Sequence, residues 1–258
     1  MAEQTGKNLP AVETKLNELV HRLKDAEAAN LVSVILYGSA ARGDFHPDHS
    51  DLNVLCVLNS LAVEELGRAA PVVRWWVAEQ NQPAPLFFTA EELRQSADVF
   101  SIELKDMQDS RRVLFGVDPI ADLHLPMNLH RIQLEHELRT VLLKIRNAYF
   151  RSHGNAQELT LVLRESFSSV LTLLRHTLIA FGETPPAAPR DIIARATALT
   201  SCNADAFSQV LRLREHGEAH TEIVKVYGAY LSALESVVRA VDKHLPKAEW
   251  QRTRHAHS

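Results

Sequence analysis

Residues 31–58 read LVSVILYGSAARGDFHPDHSDLNVLCVL. The run from Leu31 to Tyr37 is apolar and rich in β-branched residues, and it stops at Gly38. That is the pattern of a short buried strand. Ala40, Ala41 and Arg42 open a short helix that Gly43 closes. Residues 44–50 are polar, carry Pro47 and read as a loop. A second strand follows over 51–58.

The turn and the second strand each suggest chemistry. Gly38 lets the backbone approach an anion with no Cβ in the way, and Ser39 adds a hydroxyl and an amide. The helix that follows directs its free N–H groups to the same place. A Gly-Ser turn alone says little, because many strand-to-helix turns contain one. Asp51 and Asn53 sharpen it: residues two apart on a strand share a face. A pair of acids there would hold a divalent cation, which prefers oxygen ligands. Two such ions, roughly 3.5–4 Å apart, can clamp the attacking and leaving oxygens of an in-line phosphoryl displacement. Here the first position is an acid and the second an amide.

Working outward, Leu9, Val12, Leu16, Leu19, Val20 and Leu23 recur at helical spacing, which predicts an amphipathic helix over 9–29. A second helix is expected over 61–80, broken or kinked at Pro71. Leu86, Phe87 and Phe88 predict a third strand. Thr89 with Glu92 forms a capping box that opens a helix to about residue 97. Residues 100–107 are expected to form a fourth strand, with Glu103 and Lys105 facing opposite to Ile102, Leu104 and Asp106. An acid within an apolar strand is costly without a partner. Glu103 is therefore read either as a third metal acid or as the ion-pair partner of a nearby Arg or Lys.

Beyond residue 128 the pattern is helical, with helices expected near 128–152, 157–181, 189–200, 204–216 and 219–244. With no further strand pattern, this half is expected to be an antiparallel bundle. The expected domains are 1–118 and 119–258.

Gly38-Ser39-Ala40-Ala41-Arg42-Gly43 followed by Ser50-Asp51-Leu52-Asn53-Val54 resembles the signature of the DNA polymerase beta-like nucleotidyltransferase superfamily. That signature is a Gly-Ser turn, a short spacer, then acid-hydrophobic-acid on the next strand. Eleven residues lie between Ser39 and Asp51. The likeness is greatest to the minimal and antibiotic nucleotidyltransferases, in which Ala-Arg-Gly stands in the same place and a helical bundle follows the catalytic domain.

The resemblance implies an α+β fold: a nucleotidyltransferase-type mixed sheet with flanking helices, then an all-α bundle. It implies Mg²⁺-dependent transfer of a nucleoside monophosphate from an NTP to a small-molecule or protein acceptor. Gly38, Ser39 and Arg42 would bind the nucleotide; Asp51, Asn53 and Glu103 would hold metal; Asp51 and Glu103 would be catalytic. The departure is Asn53, which aligns with the second acid. An amide oxygen can ligate a hard cation but brings no charge and cannot bridge two ions as an anion. The alternative is therefore a catalytically impaired nucleotide-binding or regulatory relative. The family's habits also suggest a homodimer.

Composition bounds the rest. Charged residues are 23% and hydrophobic residues 46%, which suits a globular chain. No apolar run reaches the ~18 residues of a membrane helix, and the start MAEQTGKNLP lacks a secretory pattern. Cys56 and Cys202 form no disulfide framework, so a cytoplasmic protein is expected. The net charge of −4 argues against broad nucleic-acid binding. His46 and His49, three apart with no Cys nearby, read as solvated loop residues. Arg212, Arg214 and His216 are too closely spaced for the Arg-to-His motif of helical ribonuclease-like (HEPN) proteins. Trp75, Trp76, Phe87 and Phe88 read as core or interface aromatics.

Overall fold

Short, largely apolar runs build a four-stranded sheet with the spatial order β3 (Leu86–Thr89), β2 (Asn53–Leu58), β1 (Leu31–Tyr37), β4 (Arg111–Gly116). β1 pairs antiparallel with both β2 and β4, while β2 and β3 run parallel. The computed structural model describes residues 2–42, 51–216 and 222–244, the side chains of residues 2–9, Ser39, Arg42 and His216 excepted. The architecture is α+β, a mixed sheet with flanking helices followed by a helical region.

Both sheet faces are covered, which is why β1 and β2 are apolar throughout rather than alternating. One face packs Val34, Leu36, Leu52, Val54, Cys56 and Leu58 with residues of α1 (Ala2–Glu27) and α3 (Val63–Ala78). In α1 the pattern Leu16, Leu19, Leu23 places three leucines at 0–1% exposure on that face. Each contributes about 1.5–3 kcal/mol relative to an exposed side chain. The other face packs Ile35, Leu55 and Val57 with Leu93 of α4 (Ala90–Gln95) and with Leu104 and Met107 of α5 (Ser101–Asp109). Ile120, Leu123 and Leu125 complete this second cluster. The chain accordingly divides into the units Met1–Pro126 and Met127–Ser258, with 119–126 belonging to the first.

The capping box at α4 forms as the sequence suggests. The Thr89 amide donates to Glu92 Oε2 (2.8 Å), and the Glu92 amide donates to Thr89 Oγ1 (3.1 Å). Two expectations fail. Residues 101–109 form helix α5, not a strand. Ser101, Leu104 and Met107 are buried at a spacing of three, and Lys105 pairs with Asp109 one turn on at 2.5 Å, both helical relationships. The fourth strand is instead β4, which starts at Arg111. The other is the break at Pro71, through which α3 runs on as one helix. Pro71 sits on the exposed side of α3, and the residue four before it is the exposed Gly67, with open space around its Cα. The carbonyl that Pro71 leaves without a donor can there be hydrated.

The second unit consists, among the described residues, of α6 (Met127–Ser152), α7 (Ala156–Ala180), α8 (Pro189–Thr200), α9 (Ala204–His216) and α10 (Ile223–Lys243). Asn155 caps α7 by accepting from the amides of Gln157 (3.0 Å) and Glu158 (3.1 Å), and Pro189 opens α8. Leu134, Leu138, Leu142 and Ile145 form the buried stripe of α6. Tyr227 of α10 joins the core and donates its hydroxyl to the carbonyl of Ile145 (2.7 Å). His130 of α6 and His176 of α7 are fully buried, with Nε2 of the first 2.8 Å from Nδ1 of the second. No described helix is long and apolar enough to cross a membrane.

Candidate functional site

β1 ends at Tyr37, and the chain turns at Gly38 into α2 (Ser39–Arg42), a single helical turn. Gly38 has φ +81°, a region that costs an L-residue with a side chain. Its amide donates to the carbonyl of Ser110 (3.2 Å), which ties the turn to the start of β4. Its carbonyl accepts from the amide of Ala41 (3.1 Å). Gly38 therefore offers a ligand not its own N–H, which is engaged, but the space a Cβ would fill. α2 is too short to carry a full macrodipole, so an anion at the turn would meet local backbone amides instead.

Position 53 borders that space. A Cβ on Gly38 would stand 3.2 Å from Nδ2 of Asn53. Asn53 is half-buried at the first position of β2. Leu52 before it is buried in the α1/α3 core, and its amide donates to Oε1 of Gln82 (2.8 Å). Asp51, one residue further back, is exposed. With Leu52 committed to the opposite face, Asp51 and Asn53 project to the same side.

Strand register extends the site sideways. Tyr37 lies directly opposite Asn53 on β2 and opposite Arg111 on β4. Directly paired residues on antiparallel strands share a face. The row across the sheet end is thus Asn53, Tyr37, Arg111: an amide, a phenol and a guanidinium. Arg111 is tethered by Asp118, whose Oδ2 accepts from Nε at 2.7 Å, and by the carbonyl of Gln108, which accepts from Nη1. Its neighbour Arg112 faces the other way and pairs with Glu13 of α1 at 2.8 Å. Tyr37 packs on the α4/α5 core; burial, and secondarily the Glu103 carboxylate, push its phenol up to about 12.

Glu103 therefore stands on the Tyr37 side of the sheet, but on the first turn of α5 and exposed, not on a strand. Ser39 and Arg42 lie in α2, their side chains beyond the described set. Asp44, His46, Asp48 and His49 lie outside the described residues. Trp76 is a core residue, and Trp75 stacks beneath Arg22, whose Cζ is 4.2 Å from the ring centroid. Phe88 packs edge-on against Phe100. Cys56 is a buried core thiol whose ionisation burial strongly disfavours. Arg212 pairs with Asp205 and Arg214 bonds Ser168.

Among the described residues, the sheet end offers one motif acid, Asp51, and an amide at position 53, a donor set that does not fit a pair of divalent ions. No Asp or Glu stands on any of the four strands. Among the described residues no group of three or more His, Cys, Asp or Glu is arranged to hold a metal. Position 53 turns an N–H group, not an anion, toward the turn. Tyr37, Arg111 and Gln82 had no signal in the sequence. Their part depends on register and on a loop contact, neither of which a local pattern encodes.

A mixed sheet whose first strand ends in a Gly-Ser turn, with an acid two residues before the adjacent antiparallel strand, has the layout of a nucleotidyltransferase-type domain. Residues 16–133 match the family described as nucleotidyltransferase domain. This region belongs to the DNA polymerase beta-like nucleotidyltransferase superfamily. Among solved structures, the spectinomycin adenyltransferase AAD(9) from Enterococcus faecialis, with ATP and spectinomycin, is similar in fold. It has a TM-score of 0.55 and 13% identity, over 90% of this chain and 99% of that one. No curated protein is similar to the chain at a significant level.

Proposed function

We propose that this protein binds a nucleoside triphosphate at the Gly38 turn and that its capacity for nucleotidyl transfer is weak or lost. The observation that carries this reading is the Asn53–Tyr37–Arg111 row. The turn that grips phosphate keeps its glycine, with room beside it for an anion. Asn53 puts an amide where metal-assisted transfer uses the second carboxylate, and the residues in register beside it are a phenol and a guanidinium. Loss of one formal charge at a two-metal site removes several kcal/mol of transition-state stabilisation, hence orders of magnitude in rate. Asp51 remains as an acid two residues before β2.

A second reading has one specific observation in its favour. α5, which carries Glu103 on its first turn, packs against the Tyr37 face of the sheet, where that carboxylate helps burial push the phenol up. With Asp51 it would leave a slow transferase, Glu103 acting as base toward the hydroxyl of a small-molecule acceptor. The fold shared with an adenyltransferase that binds ATP and a small antibiotic supports that acceptor class.

Calorimetric titration with ATP, followed by pyrophosphate release with a panel of hydroxylated acceptors, separates the readings. Binding without release, with release appearing in Asn53→Asp, is the expected result. Release by the wild type that Asp51→Ala abolishes would establish the slow transferase, and absence of ATP binding would remove both.

A further inference from the structure

We infer that the site takes its nucleotide without a divalent cation, the Asn53 amide donating directly to a phosphate oxygen beside the Gly38 turn. This rests on the nucleotide-binding reading above and specifies the form of the ligand.

The chemistry of the sheet end carries it. A cation site is made of acceptors, and an anion site is made of donors. Nδ2 is the Asn53 atom turned to the space over Gly38, 3.2 Å from a Cβ position there. The two residues in register beside it, Tyr37 and Arg111, are also N–H or O–H donors. The carboxylates that hold a divalent cation in such sites are absent from all four strands, although Asn53 keeps one neutral amide oxygen. An amide N–H aimed at a phosphate forms a charge-assisted hydrogen bond, stronger than a neutral one. A carboxylate at the same point would repel that phosphate unless a cation stood between them. Replacing acid by amide at position 53 thus does more than weaken a metal site. It changes the sign of what the site attracts, from a cation that brings phosphate with it to the phosphate itself.

Arg111 strengthens the same field while staying in place. Its tethers to Asp118 and to the Gln108 carbonyl use Nε and one Nη1 proton, leaving three of its five donors. Asp51 is exposed and solvent-screened, so its opposition to an anion is modest.

The test is calorimetry of the full chain with ATP, once in EDTA and once in excess MgCl₂. The expected result is binding in EDTA with an affinity within about threefold of that in magnesium, since one hydrogen bond's worth of affinity is about tenfold. Asn53→Asp, of the same size and shape, is expected to lose about tenfold or more in EDTA and to recover with magnesium. Wild-type binding that needs magnesium overturns the inference but leaves nucleotide binding standing. Binding in neither condition overturns both. An Asn53→Asp variant that binds metal-free ATP as the wild type does removes Asn53 from the phosphate site.

Discussion

Gly38 and Asn53 meet: a Cβ on the glycine would stand 3.2 Å from the Nδ2 of the asparagine. The glycine that makes the turn after β1 and the residue in the second acid's place border the same small volume. A change at either is therefore felt at the other. Gly38→Ala must also hold a side chain at φ +81°. The expected cost is about 1–2 kcal/mol in urea unfolding, together with weaker ATP binding. Unchanged stability and affinity would mean that the turn relaxes freely.

Tyr37 reports on the row from the inside. Its phenol is pushed from 10.0 up to about 12, first by burial and then by Glu103. Below pH 10 the phenol is neutral in both folded and unfolded chains. Between those values the unfolded phenol ionises while the folded one keeps its proton, so the unfolded state binds fewer protons and stability falls as pH rises. The slope from this group is about 1 kcal/mol per pH unit at most. Tyr37→Phe is expected to flatten that alkaline limb. Glu103→Gln is expected to shift part of the phenolate absorbance titration to lower pH. An unshifted titration would place Glu103 away from Tyr37.

Pro71 is the least expected feature of α3, which continues through it. Proline in a helix interior is about 3 kcal/mol less favourable than alanine, offset by up to about 1 kcal/mol from its stiffer unfolded chain. Pro71 is exposed, so no packing is lost on its removal. Pro71→Ala is expected to raise stability by about 2 kcal/mol in urea unfolding. A loss of stability would show that the proline shapes the helix for a purpose.

The His130–His176 pair joins α6 to α7 in the core of the second unit through one bond of 2.8 Å. One ring donates and the other accepts. His176→Leu leaves a buried ring nitrogen without that bond, at an expected cost of about 1–3 kcal/mol. The double change to leucine is expected to cost less than the two single changes added together, as a double-mutant cycle would show. Additive losses would mean that the rings do not depend on each other.

Legibility in the sequence followed the range of the interactions. β1, the Thr89–Glu92 cap and the stripes of α6 and α7 are local patterns, and periodicity exposes them. Residues 100–107 fit either period over so short a window, and Ile102 with Leu104 favoured the wrong one. The discriminating residue was Met107, three beyond Leu104, with Lys105–Asp109 at helical spacing. β4 was partly hidden because it opens with two arginines. The spacing of Gly38, Asp51 and Asn53 pointed to the site directly. That Asn53 faces Gly38, and that Tyr37 and Arg111 extend its row, follows only from strand register and from the turn at φ +81°. Glu103 was expected on a strand because the family's third acid stands on one; it lies on α5 instead.

The most direct measurement is the side-chain amide resonance of Asn53 in ¹⁵N-labelled protein, assigned by its disappearance in Asn53→Asp, followed as ATP is added. A phosphate held beside Gly38 predicts a saturable shift of the Asn53 amide that tracks the calorimetric binding curve. If ATP binds and the Asn53 amide does not move, the nucleotide sits elsewhere and the account of this site is wrong.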